Sequence, residues 1–251
     1  MIILEATGVS VSFGGVKAID NVSFRMEQAE VFSIVGPNGA GKTTLFNLFS
    51  RIYNLDSGSI MFDGIDIGTA PPHKVAELGI ARTFQNTELF EHESVLNNLL
   101  IGSSIHSTTN LFDELLFLKK ARDQELEFRK HAEDVIDLLD LQSYRHSEIV
   151  SLPFGIRKLV EIGRALCLKP KLILLDEPSS GLNPEETEDL IFQIEDIKEE
   201  MSISILMIEH DMNLVSRVSD RVLALADGKV LTVGRPEEVQ EHPEVIKAYL
   251  G

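Results

Sequence analysis

Apolar and polar residues alternate from Ile2 to Phe13 and again from Val22 to Met26, with Gly14-Gly15 between the two runs. A period of two places successive side chains on opposite faces of a strand, so these runs predict antiparallel strands. Ser59 to Asp63 and Ile65 to Ile67 flank Gly64 like a second hairpin, Pro71-Pro72 opens a short helix through Leu78, and residues 80 to 85 return to strand. From Ser94 to about Leu141 the period lengthens to three and four residues. Leu96, Leu99 and Leu100, then Ala132, Val135, Ile136, Leu138 and Leu139, recur at those steps and predict a helical subdomain. Inside it, Ser103-Ser-Ile-His-Ser-Thr-Thr-Asn110 is polar and aperiodic and reads as an exposed connection. A helix follows Gly155 to Leu168, and Pro170 stops it.

The last third alternates short apolar runs with helical segments: Leu172 to Leu175, Pro184 to Glu200, Ile203 to Ile208, Asp211 to Val218, and Val222 to Ala226. Parallel strands need crossover helices between them, so this rhythm predicts a parallel sheet. The class expected is α/β, with a mostly parallel core sheet, an N-terminal antiparallel β subdomain and a helical subdomain. One domain over residues 1–251 is expected, its core and β subdomain from 1–85 and 156–251 and its helical part from 86–155.

The junction between Val31-Phe-Ser-Ile-Val35 and the helical pattern of Leu45, Phe46, Leu48 and Phe49 carries the most specific chemistry. There Gly36, Pro37, Asn38, Gly39, Ala40, Gly41, Lys42 and Thr43 fit G-x-x-x-x-G-K-[ST], with Thr44 following. Glycines let the backbone curl so that successive N–H groups face a phosphate, Lys42 reaches the β and γ oxygens, and the next helix points its positive end at them. Thr43 would hold Mg²⁺ through its hydroxyl.

Two further strand ends add carboxylates and a histidine. Leu172-Ile-Leu-Leu-Asp176-Glu177 is an apolar strand ending in an acidic pair, where an open α/β sheet presents its ligands. Asp176 would hold Mg²⁺, and Glu177 would orient or deprotonate an attacking water, unless the pair only caps the next helix. His210 follows the apolar Ser204-Ile-Leu-Met-Ile208 and can contact a γ-phosphate, while Gln85, after Ile80-Ala-Arg-Thr-Phe84, can touch both Mg²⁺ and water. For both, a plain polar loop residue is the alternative.

Composition narrows the partners. The 40 acidic residues exceed the 23 basic ones, for a net charge of −17, which removes the basic stripe that tracking a nucleic acid backbone requires. The acidic clusters Glu125 to Asp140 and Pro184 to Glu200 have helical periodicity and read as solvated faces. No apolar run approaches the roughly 18 residues that span a membrane, and the N-terminus lacks a cleavable leader pattern, so a cytosolic protein is expected. Cys167 is the single cysteine and reads as buried and apolar rather than catalytic.

In their order along the chain, the phosphate loop, Gln85, the helical insert, Asp176-Glu177, Ser180-Gly-Leu-Asn183 and His210 resemble the ATP-binding-cassette family over the whole length. Val11-Ser-Phe-Gly-Gly-Val-Lys-Ala-Ile-Asp20, Ala81-Arg-Thr-Phe-Gln-Asn86, Gly181-Leu-Asn-Pro184 and Val245-Ile-Lys-Ala-Tyr-Leu-Gly251 are similar to the ATPase subunits of branched-chain amino acid importers. The resemblance implies the P-loop fold of a cassette ATPase domain, ATP and Mg²⁺ as ligands, and a cytoplasmic subunit peripheral to the membrane. It also implies a permease and a second ATPase as partners, with no direct contact to the solute. By the same resemblance Phe13 stacks on adenine, Gln85 faces the membrane partner, Glu177 is the catalytic base and His210 the switch histidine. For Phe13 a core aromatic is the alternative. At the signature, where Leu-Ser-Gly-Gly-Gln is expected, Leu152-Pro153-Phe154-Gly155-Ile156 stands. Proline supplies neither hydroxyl nor N–H, which leaves Gly155 and the following helix to face the opposite subunit's nucleotide. Asn183 stands where the family usually has aspartate. A soluble cassette ATPase and a nucleotide-binding regulator remain the competing readings.

Overall fold

The structure is a computed structural model that describes residues 1–83, 89–106 and 119–250. Two glycine-bearing turns shape its first sheet. β1 (Ile2–Phe13) turns through Gly14 and Gly15, at φ 56° and 85°, into β2 (Val16–Glu27). Positive φ at both central residues matches the twist of the paired strands. β3 (Val31–Val35) and α1 (Lys42–Phe49) follow, and then β4 (Ser57–Phe62) turns through Asp63 and Gly64, at φ 47° and 77°, into β5 (Ile65–Asp66). The antiparallel sheet has the order β2-β1-β4-β5. β2 starts six residues before the expected Val22. Its first residues lack alternation but pair with the end of β1, Phe13 with Val16 and Ser12 with Lys17. Ladder hydrogen bonds there outweigh the pattern.

Next come α2 (Pro72–Leu78) and β6 (Ile80–Arg82). The strand expected over 80 to 85 thus ends at Arg82, and its last two residues lie outside the described set. The helical stretch holds α3 (Val95–Ser103), a 3-10 turn at Ser104–His106, α4 (Lys119–Leu138) and α5 (Phe154–Leu166). The final third holds β7 (Leu172–Asp176), α6 (Pro184–Met201), β8 (Ser204–Ile208), α7 (Met212–Val218), β9 (Arg221–Ala226), β10 (Lys229–Gly234), α8 (Pro236–Gln240) and α9 (Pro243–Leu250).

The second sheet has the order β10-β9-β3-β8-β7-β6. Pairings from β9 to β6 are parallel and β10 joins β9 antiparallel. β3, β7 and β8 are buried along their whole length, which explains their unbroken apolar runs. β10 is half-exposed and lies at the sheet edge, where neither alternation nor a continuous apolar run marks it in advance.

The chain divides into one unit of residues 1–85 and 171–251 and a second of 86–170. The second unit takes in all of α5, so residues 156–170 belong with the helices and not, as expected, with the core. Close packing is the reason: a Cβ on Gly102 of α3 would lie 2.2 Å from the Arg164 carbonyl of α5. Ser103, read as the start of an exposed connection, is buried, and its hydroxyl donates to the Cys167 carbonyl at 3.4 Å. Residues 107–110 of that connection lie outside the described set. α5 ends at Leu166 rather than Leu168, with Cys167 as its C-cap. Burial pushes the Cys167 thiol up to about 12, which removes it from any nucleophilic role. In α4 the buried residues are Ala132, Val135 and Ile136, leaving its acidic positions toward solvent.

Candidate functional site

β3 delivers the chain into a loop over which backbone presses from two sides. A Cβ on Gly36 would sit 2.0 Å from the Leu225 carbonyl oxygen, and one on Gly41, at φ 103°, would sit 2.6 Å from that of Ala18. Neither position has room for a side chain. The Gly228 N–H donates to the Ala40 carbonyl at 3.0 Å and pins the loop's midpoint. α1 begins at Lys42 behind Gly41, and its first N–H groups have no partner within the helix. With Ala18, residues Asn38 to Thr44 and Glu177 they line a hollow of about 220 Å³. That is below the ~300 Å³ at which pockets begin to bury whole small molecules, and it suits a chain of phosphates with the rest of the ligand outside.

Lys42 is buried, and its ammonium donates to the carbonyls of Gly36 at 2.7 Å and Pro37 at 3.0 Å. Burial pushes its pKa down, while the charges of Glu177 and Asp176 act in the opposite sense. The ammonium is thus held at the mouth of the loop on two carbonyls, which are weaker acceptors than phosphate oxygens.

The acidic side of the site comes from the ends of β7 and β8, with a basic partner on β6. Asp176, the last residue of β7, is buried and pairs with Arg82 of β6, Nη2 to Oδ2 at 2.9 Å. Burial pushes its carboxyl pKa up, and Arg82 draws it back. Arg82 also donates to Asn47 Oδ1 of α1 at 2.7 Å and to Oγ of Ser50, the C-cap of α1, at 2.8 Å, so one guanidinium joins the carboxylate to the helix behind the loop. Glu177 has φ 51°, a conformation that costs a non-glycine residue about 1–3 kcal/mol and persists only where its surroundings enforce it. Its Oε1 lies 2.5 Å from His210 Nε2. Glu209, at the end of β8, is 2% exposed and accepts backbone N–H groups from Ser179, His210 and Asp211.

The structure brings Lys42, Thr43, Thr44 and Glu177 to one hollow and His210 to Glu177. Phe13 stands apart on the first hairpin, 45% exposed, edge-on to Tyr53 with ring centroids 4.9 Å apart. A core aromatic is therefore ruled out there. Asn183 caps α6 in a reciprocal box with Glu186, a task an aspartate performs equally well. Gly155 lies in the first turn of α5 behind Pro153, within the helical unit, and Gln85 lies outside the described residues. Sequence reasoning missed Arg82, Tyr53 and Glu209. Only Glu209 carried a signal, being an acid directly after the apolar run Ile205 to Ile208, much as Asp176 and Glu177 follow Leu172 to Leu175.

The donor set fits a nucleotide and a divalent cation. Backbone N–H groups and an ammonium suit phosphates, and a hydroxyl with a carboxylate suits Mg²⁺, which keeps most of its water and takes few protein ligands. No cluster of three or more His, Cys, Asp or Glu side chains that could cage a metal occurs among the described residues.

A family model described as ABC transporter matches residues 19–180, and one described as branched-chain amino acid ATP-binding cassette transporter matches residues 229–251. The chain is 39% identical over 249 residues to the high-affinity branched-chain amino acid transport ATP-binding protein BraF of Pseudomonas aeruginosa, covering 99% of this chain and 98% of that protein. To the corresponding protein LivG of Escherichia coli it is 35% identical over 249 residues, with the same coverage. Among solved structures, an ATP-binding cassette of an ABC transporter in its ADP conformation has a TM-score of 0.87 at 32% identity, covering 100% of this chain and 99% of that one. A nucleotide-free cassette from an ABC transporter has a TM-score of 0.86 at 32% identity and covers both chains fully.

Proposed function

The chain belongs to the ABC transporter family, and on that premise we propose that it is the ATP-hydrolysing subunit of an importer for branched-chain or other hydrophobic amino acids. The observation that carries the hydrolytic part of this reading is the pairing of Glu177 with His210 at 2.5 Å beside a phosphate-loop hollow that Glu177 itself lines, and the amino acid part is supported by the likeness to BraF and LivG. A phosphate loop alone serves kinases and hydrolases alike. A carboxylate held beside it by a histidine suits water activation.

ATP binds with its phosphates on the amides of residues 36–44, where Lys42 exchanges its two carbonyl partners for phosphate oxygens. Phe13, exposed and backed by Tyr53, offers a face to the adenine. Thr43, Asp176 and Gln85 are the residues that would hold Mg²⁺, which when bound spreads the charge of the phosphates. Glu177 takes the proton of the attacking water as its oxygen bonds to the γ-phosphorus and the bond to the β-phosphate oxygen breaks, releasing ADP and phosphate. His210 holds Glu177 in line and touches the γ-phosphate.

A second ATPase, identical or different, closes the site from outside with its signature segment. Pro153 contributes no N–H there, so Gly155 and the first turn of α5 make this chain's contribution to its partner's site. Among the described residues no helix is long and apolar enough to cross a membrane, so contact with the membrane runs through the permease, on its cytoplasmic face. The ATPase neither touches the solute nor binds nucleic acid. The test is an affinity pull-down of the tagged chain from detergent-solubilised native membranes, read by mass spectrometry. Permease subunits with a second ATPase are expected. A purely soluble set of partners would overturn the transport role while leaving the ATPase chemistry in place.

A further inference from the structure

One carboxylate at the acidic strand ends is turned toward main chain rather than toward the hollow. Glu209 is 2% exposed; its Oε1 accepts the Ser179 N–H at 2.7 Å, and its Oε2 accepts those of His210 at 2.8 Å and Asp211 at 3.3 Å. Ser179 lies just beyond Glu177, and His210 is the neighbour of Glu209 itself. One side chain therefore ties together the two segments that carry the Glu177–His210 pair. The same segments are joined on the other side, where the Glu177 N–H donates to the Ile208 carbonyl at 3.0 Å. Between these two ties Glu177 holds φ 51°, in the left-handed region that L-residues visit rarely. A carboxylate suits this place for a specific reason. It has lone pairs enough for three donors and donates nothing, whereas a glutamine would turn an amide N–H₂ toward one of the N–H groups.

We propose that Glu209 is a positioning residue for hydrolysis: by anchoring the main chains of Ser179 and His210 on one buried carboxylate, it holds Glu177 in its left-handed turn and within hydrogen-bonding distance of His210. The inference rests on the reading of Glu177 as the residue that accepts the proton of water.

The test is steady-state ATP hydrolysis by the full chain in the complex isolated from membranes, with the Glu177→Gln complex defining the rate contributed by any second ATPase. Glu209→Gln is expected to lower kcat about a hundredfold, the scale of a misplaced reactive group. KM for ATP and the affinity for a fluorescent ATP analogue should stay within about twofold, and Glu209→Asp, which keeps both oxygens, should recover part of the rate. In a His210→Ala background Glu209→Gln should add less than about threefold, because the pair it positions is already gone. An unchanged kcat, a loss of nucleotide binding in step with kcat, or an equal fall in the His210→Ala background would each overturn the proposal. Should Glu209→Gln not fold, Glu209→Asp is read by the same criteria, with a smaller fall in kcat at unchanged KM expected. If Glu177→Gln keeps full turnover, the reading of Glu177 fails first. If it stops turnover while Glu209→Gln does not, only the role of Glu209 is lost.

Discussion

The phosphate loop and Glu177 line one hollow, yet the loop and the acidic strand ends from which Glu177 comes are built on opposite principles. The loop spans nine residues, Gly36 to Thr44, and works through backbone: glycines at close approach, amides at a helix start, and one ammonium held by the loop's own carbonyls. The acidic ends work through side chains from different strands, with Arg82 and Asp176 94 residues apart and Glu177 and His210 33 apart. Amides cannot change their charge, so within the loop only the Lys42 ammonium feels the charges of Glu177 and Asp176. Buried carboxylates depend on every partner they have. In the function proposed above, the loop is the binding half and the strand ends, held by remote partners, are the reacting half.

That contrast can be broken by mutation, and the largest effect belongs to the reacting half. Glu177→Gln should lower hydrolysis about 10²–10⁴-fold, the range for a positioned general base, while ATP binding persists. A wild-type rate in the assembled complex would sink the role assigned to it. Next comes Arg82→Met, which strands Asp176 in a pair whose side chains are 7% and 3% exposed. Breaking such a pair costs about 3–5 kcal/mol, to be read from the denaturant midpoint of the nucleotide-free protein. A cost near zero would mean that Asp176 does not need its cation there.

The binding half should respond differently. Lys42→Ala removes a charged donor to phosphate, and the affinity for an ATP analogue should fall by about 1.5–3 kcal/mol, measured by fluorescence titration. Folding should be little changed, since the ammonium's present partners are carbonyls at the loop mouth; unaltered affinity would remove the phosphate assignment. The smallest effect sharpens the comparison rather than breaking it. Asn183→Ala deletes the cap of α6 and should cost about 1 kcal/mol in thermal stability, whereas Asn183→Asp should be near neutral. Equal losses in both would show that the amide itself, and not its oxygen, is what position 183 requires.

Much of this molecule is set by local physics and is legible in the chain. The period of two in β1, the unbroken apolar runs of β3, β7 and β8, and the helical period around Val135 fix element types because each residue's face depends on its own neighbours. The loop at Gly36 to Thr44 is equally local, as are the carboxylates that end β7. Other features arise only when distant segments meet. The first residues of β2 become strand because β1 lies beside them, β10 because β9 offers an edge, and α5 joins the helical unit because Gly102 lets α3 approach it. Arg82 on Asp176, His210 on Glu177 and the three N–H groups on Glu209 belong to the same class. Periodicity and short motifs report what a residue's neighbours in the chain demand, and a buried charge is decided by whichever remote group the completed sheet sets against it.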